Sequence, residues 1–210
     1  MANVSFLYLA SRSPRRRELL TQAGIPFRLV DIEIDESVLE NERAADYVER
    51  LARSKAEAGW AKLQDTGGAA APVLAADTTV ALGGKLLGKP ENEDDAVESL
   101  MHLSGQTHDV LTGIALCGDL GDGLDVETQV VTTRVRFSHF SIEDARRYVA
   151  TGEPMDKAGS YGIQGFGGTL VESIDGSYSN VVGLPLKETV ELAGLFGVPY
   201  WQKLSGDQTV

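Results

Sequence analysis

Scarcity limits the chemistry open to this chain before any motif is read. One cysteine, Cys117, among 210 residues excludes an internal disulfide framework. The three histidines, His102, His108 and His139, are scattered, and no Cys/His set has the spacing of a zinc site. No apolar run reaches the roughly 20 residues that a bilayer span requires. The opening MANVSFLYLASRSPRRR carries its arginines after the apolar stretch, which does not read as a signal peptide. A cytoplasmic, reducing setting is therefore expected, with Cys117 as a small buried apolar side chain. Neither a G-x-x-x-x-G-K-[ST] phosphate loop nor a convincing dinucleotide fingerprint after a strand occurs. The absence of a G-x-S-x-G element leaves a serine hydrolase poorly supported. The acidic stretch GDLGDGLD does not match the calcium-loop pattern.

Positive charge is also in short supply. Nineteen Lys and Arg face 31 Asp and Glu, a net charge of −12, which argues against a general nucleic-acid or anionic-membrane binder. Against that balance, the segment Ser11 to Arg17 stands out, because Arg12, Arg15, Arg16 and Arg17 crowd around Pro14. Ser13 suits an N-cap, Pro14 the first helical position and Gly24 the stop. Arginines in a first helical turn oppose the helix dipole. A bound polyphosphate resolves that conflict, since helix amides and guanidinium forks both bind its oxygens. A solvated basic face would account for the same residues.

The rest of the chain has the hydrophobic share, 42%, of a globular protein. Strands are expected at VSFLYLA and near FRLVDI, and a long helix over 41–63, with Tyr47, Val48, Leu51, Ala52 and Ala56 on one stripe. VLAADTTVALGGKLLGKP reads as two strand pieces joined at Gly83-Gly84. ENEDDAVESLMHL reads as a helix with acids in its first turn. DVLTGIALC and VETQVVTTRVRF are β-rich, and Ser141 with Asp144 forms a candidate cap for SIEDARRYVA. Beyond the glycine-dense DKAGSYGIQGFGG, two short strands and a helix near LKETVELAGLF are expected. This order implies a mixed α/β sheet flanked by helices, in one unit over 1–203 with a cleft between two lobes. Residues 204–210 form a polar tail.

Four further features could carry chemistry. Asp77 follows an apolar strand and precedes two threonines, where a sheet can present a catalytic group or simply make a local turn. Glu36, in the acidic IDE, is a weaker carboxylate candidate and reads more readily as an exposed cap. Lys55 lies near the apolar stripe of the long helix and Lys89 at the end of a hairpin arm. Both have the ordinary alternative of a snorkelling surface lysine. Gly159, Gly162, Gly165, Gly167 and Gly168 allow positive φ or close approach of a ligand, or form a plain connector. Gln164 among them offers both a donor and an acceptor to a base edge.

Taken in order, LYLASRSPRRRELL, IDE, LARSKAEAG, LAADTTVALGGKLLGKP, LSGQTHDVLTG, DKAGSYGIQGFGG and GSYSNVVGLPL resemble the Maf family of nucleotide pyrophosphatases. The resemblance runs from residue 7 to about 186 and implies an inosine-triphosphatase-like α/β fold, a mixed twisted sheet around a central cleft. It implies a nucleoside triphosphate as substrate, cleaved to the monophosphate and pyrophosphate by water attacking the α-phosphate. In that scheme Asp77 is the general base, and Ser11, Ser13, Arg15 and Arg16 form the phosphate loop, with Lys55 and Lys89 adding charge. Glu36, with Asp77, matches a carboxylate pair for a divalent cation, magnesium or manganese. Arg15, Thr78 and Gln164 match positions that select the base, and YGIQG resembles the branch acting on dTTP and UTP. Arg12 departs from the family's often small residue, and its role is open. The resemblance also allows a homodimer, a regulatory role in septum formation without catalysis, or the same reaction on a purine or 7-methyl-GTP.

Overall fold

The computed structural model describes residues 4–68, 70–119, 121 and 123–203. The expected polar tail 204–210 lies outside them. Seven strands form one sheet: β1 (Leu7–Leu9), β2 (Phe27–Leu29), β3 (Val73–Leu82), β4 (Lys85–Leu87), β5 (Thr107–Asp119), β6 (Leu124–Phe137) and β7 (Val171–Asp175). Their order is β2-β1-β3-β5-β6-β7, with β4 paired to β3. β1 runs parallel to β2 and β3, and the other pairings are antiparallel. Six α-helices accompany it: α1 (Pro14–Gln22), α2 (Ala44–Thr66), α3 (Glu93–Leu103), α4 (Ile142–Val149), α5 (Tyr178–Val182) and α6 (Leu186–Leu195). The mixed α/β architecture expected from the sequence is the one found.

The strand β3 organises the sheet. β5 pairs along one of its edges from Val73 to Ala81. The other edge is shared: β1 pairs at Val73 and Leu74, and β4 pairs only from Val80 onward. Residues 75–79 therefore have no strand beside them on that edge, and the sheet forks there. Side chains alternate across a strand, so Val73, Ala75 and Asp77 share one face, and Leu74, Ala76 and Thr78 the other. Val73 and Ala75 pack with Ala52 and Ala56 of α2. Leu74 and Ala76 pack with Leu19 and Leu20 of α1 and Leu192 of α6. A separate apolar cluster, including Leu100 of α3, Val135 of β6 and Tyr148 of α4, lies beyond the fork.

Local sequence explains these elements. Gly83 and Gly84, at φ of +58° and +85°, make the two-residue turn between β3 and β4. Asn92 caps α3 through a bond from Asp95 N, and Ser141 with Asp144 forms a complete capping box on α4. The buried stripe of α2 is Val48, Leu51, Ala52, Lys55, Ala56, Gly59 and Leu63, at helical spacing. This helix starts at Ala44 and ends at Thr66, about one turn later at each end than its pattern suggested. Gly113 of β5, opposite Asp77 in the register, lets α2 close over the sheet. A Cβ there would stand 2.3 Å from the Val48 carbonyl oxygen.

Two expectations need correction. Only β7 appears where two short strands were expected, because the next segment, YSNVV, is the helix α5. Ser177 caps it by accepting from Asn180 N, a local bond that starts a helix there. Asp77 also sits in the middle of β3 and not at its end. Cys117 is fully buried, as expected, and burial pushes its thiol pKa up to about 12.

Candidate active site

The fork in the sheet opens into a cleft of about 870 Å³. All ten candidate side chains from the sequence line it: Ser11, Ser13, Arg15 and Arg16 from the β1–α1 junction, and Glu36 from the loop after β2. Lys55 of α2, Asp77 and Thr78 of β3, Lys89 after β4 and Gln164 of the glycine-rich segment complete the set. Six cationic and five carboxylate side chains line this space, although the whole chain carries an excess of 12 acids. The cleft thus reverses the molecule's charge balance locally, as an anion site requires.

On the α2 face of β3, Lys55 donates to Asp77 Oδ1 at 2.7 Å. Its ammonium also lies 2.7 Å from Glu36 Oε1. The Lys55 and Asp77 side chains are only 11% and 12% exposed, whereas Glu36 is 50% exposed. Partial burial raises the Glu36 pKa, but the hydrogen bond and charge of Lys55, with Lys89 and Arg16, outweigh it and hold the carboxyl below its ordinary value. Lys55 is therefore not the snorkelling surface lysine that its sequence position also allowed. Tyr47 OH donates to the Glu36 carbonyl at 3.1 Å and fixes that loop from α2.

On the opposite face, Arg16 reaches from the first turn of α1 into the fork. Its Nε donates to the Gly183 carbonyl at 2.8 Å, Nη2 to Thr78 Oγ1 at 3.1 Å and Nη1 to Ser11 Oγ at 3.3 Å. Burial lowers its pKa, Asp77 and Glu36 oppose that shift, and Arg15 adds to it. Thr78 Oγ1 shares a hydrogen bond with Thr112 Oγ1 at 2.9 Å, and Thr112 in turn donates to the Asn180 carbonyl. Gly183 and Thr112 were not singled out in the sequence. Gly183 has φ +125° immediately after α5, a helix stop that is a signal only once α5 is recognised as a helix. Ser13 takes the N-cap position, yet its side chain makes no capping bond; its amide donates to Ser11 Oγ.

The remaining arginines separate by partner. Arg12 makes a two-pronged contact with Asp31, at 2.6 and 2.9 Å, and meets Glu33 at 3.1 Å. Those acids balance the residue that departs from the family pattern. Arg15 points across the cleft to Asp156 at 3.4 Å, and Asp156 also accepts from Lys157. Lys89 is exposed, near enough to Glu36 to lower its pKa. Gln164 is exposed at the lip.

The donor set bears on a divalent cation. No group of three or more His, Cys, Asp or Glu able to hold a metal ion occurs among the described residues. The pair Glu36 and Asp77, converging on one ammonium, offers hard oxygens at an open cleft. This fits a magnesium-like ion, which commonly takes one or two carboxylates and completes its shell with substrate phosphates and water. No helix among the described residues is long and apolar enough to cross a membrane.

Known proteins resemble this chain over most of its length. The family described as Maf-like protein matches residues 6–195. A dTTP/UTP pyrophosphatase of Methylobacillus flagellatus is 52% identical over 196 residues, covering 93% of this chain and 95% of the relative. Proteins of the same name from Alcanivorax borkumensis and Pectobacterium atrosepticum are 50% and 52% identical. They cover 93% and 90% of this chain, and 98% and 92% of their own lengths.

Proposed function

The chain belongs to the Maf family, and from that premise we propose that it is a nucleoside triphosphate pyrophosphatase acting on dTTP and UTP. The observation that carries this reading is the meeting of two groups at the fork in the sheet. A buried lysine–carboxylate pair stands on one face of β3, and the arginine-bearing start of α1 on the other. Phosphoryl transfer depends on positioning and on stabilising charge over the phosphate oxygens, which such a cleft supplies.

In the reaction, water attacks the α-phosphorus and Asp77 accepts one of its protons as the oxygen–phosphorus bond forms. The α–β phosphoanhydride breaks, and its electron pair leaves on pyrophosphate. Lys55, in contact with both Asp77 and Glu36, keeps the base oriented toward the cleft. Arg16 meets phosphate oxygens from a fork already fixed by Gly183 and Thr78, so little ordering is left to do on binding. Ser11, Ser13 and the open amides of α1 add donors, and Lys89 and Arg15 add charge. Glu36 and Asp77 would hold the divalent ion, magnesium or manganese. Bound there, it supplies neutralisation of the phosphate oxygens and of the departing pyrophosphate.

Gln164, at the lip with Arg15 and Thr78 on the same cleft, selects the base. Its amide offers one donor and one acceptor, which suits the alternating edge of uracil or thymine. Residues 1–203 act as one unit, in the cytoplasm, where nucleoside triphosphates are held. The test is a panel of nucleoside triphosphates with magnesium or manganese, read by pyrophosphate release. dTTP and UTP are expected to be cleaved fastest. Release of orthophosphate alone, or a best rate on a purine or on 7-methyl-GTP, would overturn the assignment.

A further inference from the structure

Beyond its own 3-10 turn, Phe166–Leu170, the glycine-rich segment that carries Gln164 is tied down from outside. Two residues outside it, Glu153 and Tyr148, hold it. Glu153 belongs to a 3-10 turn, Glu153–Asp156, that follows α4. Its Oε2 accepts from Phe166 N at 2.8 Å, and its Oε1 from Gly167 N at 3.0 Å. Oε1 also accepts from Tyr148 OH at 2.8 Å, and the same hydroxyl accepts from Gly162 N at 3.0 Å. Gln164 therefore sits between an anchor two residues before it and a pair of anchors two and three residues after it.

The glycines are explained by the same contacts. Of the five, only Gly159 has a positive φ. A Cβ on Gly165 would lie 2.1 Å from Glu153 Oε2, and one on Gly167 would lie 2.5 Å from Tyr148 OH. Gly165 and Gly167 thus make room for the clamp, a reason for glycine that the sequence did not suggest. The turn that bears Glu153 also bears Asp156, which reaches across the cleft to Arg15. One short turn is bonded both to the segment carrying Gln164 and to the arginine opposite.

We propose that Glu153, with Tyr148, is a specificity-positioning residue: it fixes the segment 162–167 so that the Gln164 amide meets the pyrimidine edge. The inference rests on the reading that Gln164 selects the base. A carboxylate is needed because all three groups facing it are donors. In Glu153→Gln the amide oxygen can serve only one side, and in either orientation the new NH2 faces a backbone N–H, that of Phe166 or that of Gly167.

The experiment compares wild type, Glu153→Gln, Tyr148→Phe and Gln164→Ala. Each is measured for kcat/KM with UTP and with a purine triphosphate, for thermal midpoint, and for hydrogen exchange at residues 162–168. Misplacing a recognition group by about an ångström costs up to about a hundredfold. The pyrimidine-over-purine ratio is expected to fall about tenfold or more in Glu153→Gln, mainly through KM for UTP. Faster exchange at the Phe166 and Gly167 amides should accompany it, and Tyr148→Phe should give a smaller loss in the same direction. A lowered midpoint with an unchanged ratio in Glu153→Gln would assign Glu153 a purely structural role and overturn the proposal. If Glu153→Gln does not fold, an unchanged ratio in Tyr148→Phe overturns it instead. Gln164→Ala separates the two levels. If that variant keeps the full preference, the reading of Gln164 fails and the clamp proposal falls with it. If it loses the preference while Glu153→Gln keeps it, only the clamp fails.

Discussion

Lys55→Met removes the ammonium shared by Asp77 and Glu36 while keeping most of the buried stem. Two carboxylate oxygens that now lie 2.7 Å from one cation would then face each other with no cation between them. Breaking a buried pair by deleting one partner costs about 3–5 kcal/mol, because the surviving charge stays buried. That figure applies to Asp77, whose side chain is 12% exposed. Glu36 is half exposed, and its contact contributes no more than about 1 kcal/mol after solvent screening. Methionine restores some apolar contact, so the expected net loss is about 3 kcal/mol. For a chain of 150–250 residues, each kcal/mol moves the thermal midpoint by about 2–4 °C, which predicts a fall of about 6–12 °C at pH 7. The sign of the pH dependence follows from Glu36. Its folded pKa lies below the unfolded value, so its contribution is present above the ordinary carboxylate pKa and is lost as pH falls through the folded one. The gap between wild type and Lys55→Met should therefore narrow below about pH 4.5. Magnesium should raise the variant's midpoint more than the wild type's, since a divalent ion can replace the lost positive charge. Calorimetric melts across pH, with and without magnesium, measure all of this. A variant within about 2 °C of wild type at pH 7 would show that the pair carries little of the site's stability.

Two further outcomes follow from the same geometry. Arg16→Lys keeps the charge but cannot meet Gly183, Thr78 and Ser11 together, so kcat/KM for UTP should fall about a hundredfold with a modest change in stability. Full activity in that variant would mean that the fork is not used. His108 is buried, with its Nε2 2.9 Å from Tyr161 OH, and burial lowers its pKa to about 4. Its unfolded value is near 6.5, so the folded protein should lose about 3 kcal/mol as pH drops from about 6.5 to about 4. His108→Gln should flatten that slope in urea titrations at pH 7 and pH 5, and an unchanged slope would assign it to other groups.

Much of the site was legible because its residues break local rules. Arginines at a helix start and an aspartate directly after an apolar run are visible without any coordinates, and both prove to line one cleft. Lys55 was ambiguous, because a stripe of small residues on α2 does not reveal that its neighbour will be a buried carboxylate 22 positions away. Less legible was whatever depended on long-range pairing. The fork arises because β1 and β4, separated by 75 residues or more, share one edge of β3, and no pattern within β3 announces it. Arg12 resembled its neighbours until Asp31 and Glu33 were found beside it. The glycines of 159–168 read as a ligand loop or a plain connector, and two of them accommodate Glu153 and Tyr148. Sequence spacing gives the freedom of a glycine but not the atom that makes use of it.

In the proposed reaction Asp77 takes the proton from the attacking water. Asp77→Asn keeps the shape of the side chain and an oxygen for Lys55, but has no carboxylate to accept a proton. With UTP and magnesium, single-turnover pyrophosphate release should fall by about 10²–10⁴, the usual contribution of a positioned general base. Nucleotide binding, measured by calorimetry on the same sample, should persist. Turnover within a few-fold of wild type in Asp77→Asn would contradict the account and move the chemistry to another group.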